Sequence, residues 1–185
     1  EDYTISGYMN TTNAVVDNAT FELSIDGDTD LTVSSTGTQM GSTTVVDNGS
    51  AKFDVTATAL SFTTQAAGSV SGSSLTTQPV VTAQDAFGNT DVDFTETITL
   101  TEASAGSLTG GAVVAVNGVA TFAAVNYIAT ADQQSFVLTA NDQDGVDSDL
   151  ATADASAVTS DVVATKLVFG TQPVPLSLNS GELTS

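Results

Sequence analysis

Twelve residues of this chain occur twice. "DVTATALSFTTQ" occupies residues 54–65 and "DVVATKLVFGTQ" residues 161–172; eight of the twelve positions are identical, and the offset is 161 − 54 = 107. An internal repeat limits the fold more than any local propensity, because both copies must suit the same kind of structural unit. Thr58, Leu60, Phe62 and Thr64 recur as Thr165, Leu167, Phe169 and Thr171, while Ala59, Ser61 and Thr63 change to Lys166, Val168 and Gly170. Alternation with a period of two belongs to a strand, whose successive side chains point to opposite faces. The retained face reads as the core side, and the variable face as the wetter one.

If Leu60 and Leu167 each open a module, residues 60–166 form one complete unit. Residues 1–59 then form a partial or small β-sandwich module, and 167–185 are the opening strands of a further module or a donor strand. Strand signals divide 60–166 into "LSFTTQ" (60–65), "PVVTAQ" (79–84), "ETITLT" (96–101), "SFVLTA" (135–140) and "LATADASAV" (150–158). "DAFGNTD" (85–91) reads as an Asx-type turn and "GSLTGG" (106–111) as a flexible loop. "AVVAVNGVATFAAV" (112–125) reads as a hairpin, because Asn117-Gly118 tolerates the positive φ angles of a type I′ turn. A second such hairpin is expected over "TTVVDNGSAKFDV" (43–55). The 31 Thr residues support the same class, since stiff branched side chains suit a pleated surface. The expected fold is all-β: immunoglobulin-like antiparallel β-sandwich modules in tandem.

The order "VVTAQDAFGNT … ETITLT … GSLTGG … AVNGVATF … SFVLTAND" resembles the bacterial immunoglobulin-like repeats of large surface adhesins of the intimin and invasin type. The resemblance covers residues 60–166 and rests on turn and core signatures, chiefly Asp85–Asn89 and Asn117–Phe122. It implies a tandem, rod-forming module, extracellular and at the cell surface.

Charge narrows the partners. There are 22 acidic residues against Lys52 and Lys166, a net charge of −20, with no Arg. Phosphate neutralisation needs Lys and Arg, so nucleic acid is excluded, and an anionic membrane surface would repel the chain. No stretch reaches the ~20 apolar residues that span a bilayer, so no membrane insertion is expected. His and Cys are absent, which removes the usual general bases, thiolates and soft metal ligands. Both lysines read as solvent-exposed, leaving Ser and Thr without an activating base, and the chain is read as not an enzyme.

The 17 Asp residues outnumber the five Glu, and they cluster. Asp26, Asp28 and Asp30 alternate in "DGDTD"; Asp142, Asp144, Asp147 and Asp149 crowd "NDQDGVDSD". Ca²⁺ takes six to eight oxygens from bent, carboxylate-rich backbone, so both clusters are candidate Ca²⁺ ligands. Neither is an EF-hand: counting from Asp26, the sixth position is Leu31 and the twelfth Gly37. The plainer reading is a solvated acidic turn. Sequons begin at Asn10, Asn18 and Asn48, as they readily would in a Thr-rich chain.

Three functions follow as expectations. The first is a structural or adhesive cell-surface segment, a tandem rod or lattice element whose partners are neighbouring modules or copies of the same protein. The second is an extracellular filament subunit assembling head to tail by strand donation. It rests on a complementarity: 1–59 looks like a sandwich lacking its first half, and 167–185 restarts one. The third is a carbohydrate-binding module that takes surface glycans, for which few aromatic platforms are on hand.

Overall fold

The computed structural model describes residues 14–22, 24–26, 44–46, 51–142 and 149–171. Among them, every regular element is a strand. In chain order these are β1 (Thr20–Phe21), β2 (Ser24–Asp26), β3 (Thr44–Val46), β4 (Ala51–Lys52), β5 (Ala59–Thr64), β6 (Ser69–Val70), β7 (Val80–Gln84) and β8 (Thr97–Thr101). They continue with β9 (Ser107–Thr109), β10 (Ala112–Val114), β11 (Val119–Thr121), β12 (Asn126–Ile128), β13 (Gln134–Phe136), β14 (Thr139–Asp142), β15 (Ala153–Asp154) and β16 (Val158–Asp161).

From β5 onward the strands build a sandwich. One layer has the order β11-β7-β5 and the other β10-β8-β14-β15, with every pairing antiparallel. A smaller sheet, β13-β16-β6, sets the last strand antiparallel to β13 and parallel to β6. The first strand region therefore serves two sheets: β5 joins β7, and β6 crosses to run beside β16. One buried cluster takes Leu60, Val81, Ala83 and Ala120 from the first layer and Ile98, Leu100 and Ala140 from the second. Removing Val81, Ile98 and Leu138 from water contributes about 1.5–3 kcal/mol each.

Local sequence explains most of these elements. In β8, Ile98 and Leu100 are buried while Thr101 is exposed and Thr97 and Thr99 are half-buried, which is the alternation of "TITLT". In β5, Leu60 is buried and Phe62 packs against the core, so the retained face of the repeat is the core face there; Thr58 and Thr64 lie exposed at its ends. A register shift between Phe62 and Thr64 marks where the strand leaves β7. The expected strand at 150–158 is two pieces, 153–154 and 158–161.

Three expectations need correction. Asn117 (φ 51°) and Gly118 (φ 76°) do form a tight turn, closed by Val116 N–H to Val119 O at 2.9 Å. Its arms then part: β10 pairs with β8 and β11 with β7, so the segment joins two layers and is not a simple hairpin. Gly118 is pressed against the 85–94 loop; a Cβ there would lie 2.1 Å from Asp91 O. "GSLTGG" holds β9, paired with β12, and Gly106 leaves room for the Tyr127 ring. "SFVLTA" is broken after Phe136, because β13 belongs with β16 while β14 belongs with β8 and β15.

Candidate functional site

Ahead of the sandwich, residues 14–22 and 51–57 form a small paired unit. Thr20 faces Lys52 and Phe21 faces Ala51, Phe53 N–H bonds to Ala19 O at 2.9 Å, and the Phe21 and Phe53 rings stack at 4.8 Å. Asn18 takes φ 61°, which an Asx turn tolerates. That turn aims Asp17 at the sandwich.

The facing loop, residues 85–94, is built by two aspartates. Asp85 Oδ1 accepts from the amides of Phe87 (2.9 Å) and Asn89 (2.8 Å), and its Oδ2 accepts from Asn89 Nδ2 (2.9 Å). Burial pushes the Asp85 carboxyl up, but the Asn89 side chain and the surrounding amides outweigh it and hold it below the ordinary carboxylate value. This is the Asx-type turn expected from the sequence. Asp91 Oδ1 accepts from Asp93 N–H (3.0 Å) and Phe94 N–H (3.1 Å).

Asp17 joins the two parts. Its Oδ1 accepts from Asn18 N–H (2.8 Å) and Val55 N–H (2.9 Å), and its Oδ2 from Val92 N–H (2.9 Å), 75 residues away. The Val55 amide foremost, against the opposing effect of burial, and then Val92 and Asn18 hold this carboxyl below its ordinary value. Further bonds cross the same line: Ala57 N–H to Asp91 Oδ2 (2.9 Å), Val15 N–H to Asn89 Oδ1 (3.0 Å) and Asn18 Nδ2 to Asp93 Oδ2 (3.0 Å). The junction is thus a set of carboxylate and amide bonds rather than a flexible tether.

Carboxylates converge here. One oxygen each of Asp17, Asp54 and Asp93 lie within 4.8 Å of one another, with Asp17 buried and the other two exposed, so this triad could hold a metal ion. A cleft of roughly 310 Å³ beside it is also lined by Asp91 and Glu96. A carboxylate oxygen has two lone pairs. Oδ1 of Asp17 has both engaged by amides, and Oδ2 accepts from Val92 N–H, with the Asp93 amide also acting on the carboxylate.

The aspartates singled out from the sequence fall elsewhere. Asp142 is buried, and its Oδ2 accepts from Leu150 N–H at 3.0 Å; its Oδ1 meets no hydrogen-bond partner among the described residues. Asp149 is exposed. Asp26 ends β2, while Asp28, Asp30, Asp144 and Asp147 lie outside the described residues, as do Asn10 and Asn48. Asp17, Asp54 and Asp93 were missed because they lie far apart in sequence, Asp17 and Asp54 with no acidic residue within four positions and Asp93 in the short run Asp91–Glu96. One signal was present: Asp17, Phe21 and Leu23 have the spacing of Asp132, Phe136 and Leu138, at an offset of 132 − 17 = 115.

No protein-family model matches the chain, and no curated protein matches it at a significant level. Among the described residues no helix is long and apolar enough to cross a membrane, which leaves β-barrel spans unaddressed.

Proposed function

We propose that this chain is a segment of an extracellular cell-surface rod or lattice, made of immunoglobulin-like sandwiches joined end to end by stiff, acidic junctions. The observation that carries this reading is the Asp17 carboxylate bonded to Val55 on one side and Val92 on the other. Two units fixed by oriented hydrogen bonds transmit orientation, which a spacer needs and a flexible linker does not provide. The strand order supports an immunoglobulin-like sandwich: two antiparallel layers share a core, and the first strand region is divided between one of them, through β5, and the smaller β13-β16-β6 sheet, through β6. The net charge of −20 opposes non-specific association of neighbouring rods.

Ca²⁺ is the ion that suits this junction. The donors are hard carboxylate oxygens, and no His or Cys is present to select a softer metal. An ion at Asp17, Asp54 and Asp93 would screen their mutual repulsion and tie the small unit to the sandwich. The test compares melting and small-angle scattering in CaCl₂ and in NaCl of equal ionic strength. Screening acts on all charges alike, whereas binding stabilises only the folded junction. A Ca²⁺-specific rise in Tm that Asp54→Asn and Asp93→Asn abolish is expected; equal shifts in the two salts would remove the ion from the proposal. A scattering profile of freely jointed bodies in both salts would remove the stiff rod.

A second reading rests on one contrast. Leu167 and Phe169, which repeat Leu60 and Phe62, are 98% and 75% exposed. Such a segment suits strand donation to another copy, as in a filament subunit. Deleting residues 167–185 should then abolish polymerisation seen by sedimentation, and undiminished assembly would rule out donation by this segment.

A further inference from the structure

The far pole of the sandwich repeats the chemistry of the junction. Asp132 and Gln133 form a turn in which Gln133 takes φ 58°, as Asn18 takes φ 61°. Asp132 Oδ1 accepts from its neighbour Gln133 N–H at 2.9 Å and from Val162 N–H at 3.0 Å. Val162 stands 107 residues after Val55, whose amide bonds to Asp17 Oδ1. The strand pairs beside the two turns agree residue for residue. Thr20–Lys52 and Phe21–Ala51 correspond to Ser135–Thr159 and Phe136–Val158, with offsets of 115 on one strand and 107 on the other.

The two sites differ in what lies on top of them. Asp17 is buried and Asp132 exposed; Val55 is 5% exposed and Val162 41%. Ala57 is buried under Asp91, whereas Ala164 is exposed. The first site is covered by the 85–94 loop, through Val92 N–H on Asp17 Oδ2 and Asp91 on Ala57 N–H. The second has the same groups in the same arrangement with no such loop on it among the described residues.

We propose that the pole formed by Asp132, Gln133, Val162 and Ala164 is a docking face for the loop of a following module of the same kind. In that contact Asp132 accepts the amide equivalent to Val92, and an aspartate equivalent to Asp91 accepts Ala164 N–H. The occupant is a module continuing the same chain. A second copy of this chain does not fit, because its Val92 amide is already bonded to its own Asp17. The passage beginning at Asp161 points the same way, since it repeats the residues that lead from the first junction into β5. Asp161, the counterpart of Asp54, lies against Asp132, so this pole carries counterparts of two of the three clustered carboxylates. One contact does not carry over: Thr130 N–H, the counterpart of Val15 N–H, bonds to Gln134 Oε1 at 2.7 Å.

The inference rests on the modular reading above, and its test separates the two. The full chain is extended by duplicating residues 60–166 in register, so that Lys166 is followed by a second Leu60. Amide hydrogen exchange is then followed at both copies of Val92 and at Ala164. The expected result is that the second Val92 and Ala164 are protected. Asp132→Ala should speed exchange at the second Val92 on the order of 10-fold, the loss of about one hydrogen bond, and leave the first Val92 unchanged. If the second copy is folded, with its core amides protected, but its Val92 exchanges at the same rate with and without Asp132, the docking face is refuted and the modular reading stands. If the second copy is unfolded, both are overturned.

Discussion

Replacing Asp17 by Ala tests the junction most directly. The substitution removes one carboxylate and strands three donors. The Asn18 and Val92 amides are half-buried and water can replace their partner, but the Val55 amide is buried. A buried donor left without an acceptor costs roughly 1–3 kcal/mol, so the Val55 amide alone predicts a loss of about that size. In a chain of this size that lowers Tm by about 2–12 °C. Asp132→Ala is the internal control. It removes the same local bonds at an exposed site where water reaches the donors, and should cost no more than about 0.5 kcal/mol. Urea unfolding followed by circular dichroism measures both. The pH dependence adds a second constraint. The Asp17 carboxyl lies below its ordinary value of 3.8 in the folded protein, so its contribution is complete above that pH. It is lost as pH falls through the lower, folded pKa. The stability curves of wild type and Asp17→Ala should therefore converge in strong acid and separate toward neutrality. A difference below about 0.5 kcal/mol at pH 7, or an equal loss in Asp132→Ala, would refute the clamp.

Gly118→Ala should cost about 2–4 kcal/mol in the same assay, because it adds a Cβ against Asp91 O at positive φ, whereas Gly72→Ala, also at positive φ but with open space around it, should cost about 1 kcal/mol. Equal losses would mean that the contact with the 85–94 loop is unimportant. Tyr127→Phe removes the hydroxyl bonded to Ser104 Oγ at 2.6 Å but keeps the ring stacked on Phe136, so it should cost about 1 kcal/mol, against roughly 3–5 for Tyr127→Ala.

The sequence foretold these features unevenly, for physical reasons. The β class and the core face of β5 were legible because alternation is a local property that burial merely reads out, as at Leu60, Ile98 and Leu100. The Asn117-Gly118 turn was legible too, since the dipeptide sets its own φ angles. Which sheet each arm joins was not, because that depends on Val81 and Ile98, which lie far away in sequence. Gly106 looked like part of a flexible loop, yet it is small because the Tyr127 ring lies against it. The junction was the least legible. Clusters such as Asp142–Asp149 attract attention by density, whereas Asp17 acts alone, through partners 38 and 75 residues away. Only the matching of Asp17 with Asp132 carried a trace of it, and that match needs a gap of 115 − 107 = 8 residues to be allowed within the repeat.

The parallel pairing of β6 with β16 has a mechanical consequence. Strands that run the same way side by side begin at one end of the sandwich and finish at the other. Chain that enters near β6 and leaves after β16 therefore does so from opposite ends, and tension along it is applied lengthwise to that pair. The bonds at Ser69–Ser160 and Val70–Asp161, with Ser71 N–H to Asp161 O at 2.8 Å, are then loaded together in shear instead of being peeled one after another. The buried Ser69 Oγ–Ser160 Oγ bond, 3.0 Å long, lies across the same seam. In single-molecule pulling this arrangement gives one abrupt rupture per sandwich, and an Asp161→Pro substitution, which removes the backbone donor of β16 on the side that faces β6, lowers the force at which it occurs.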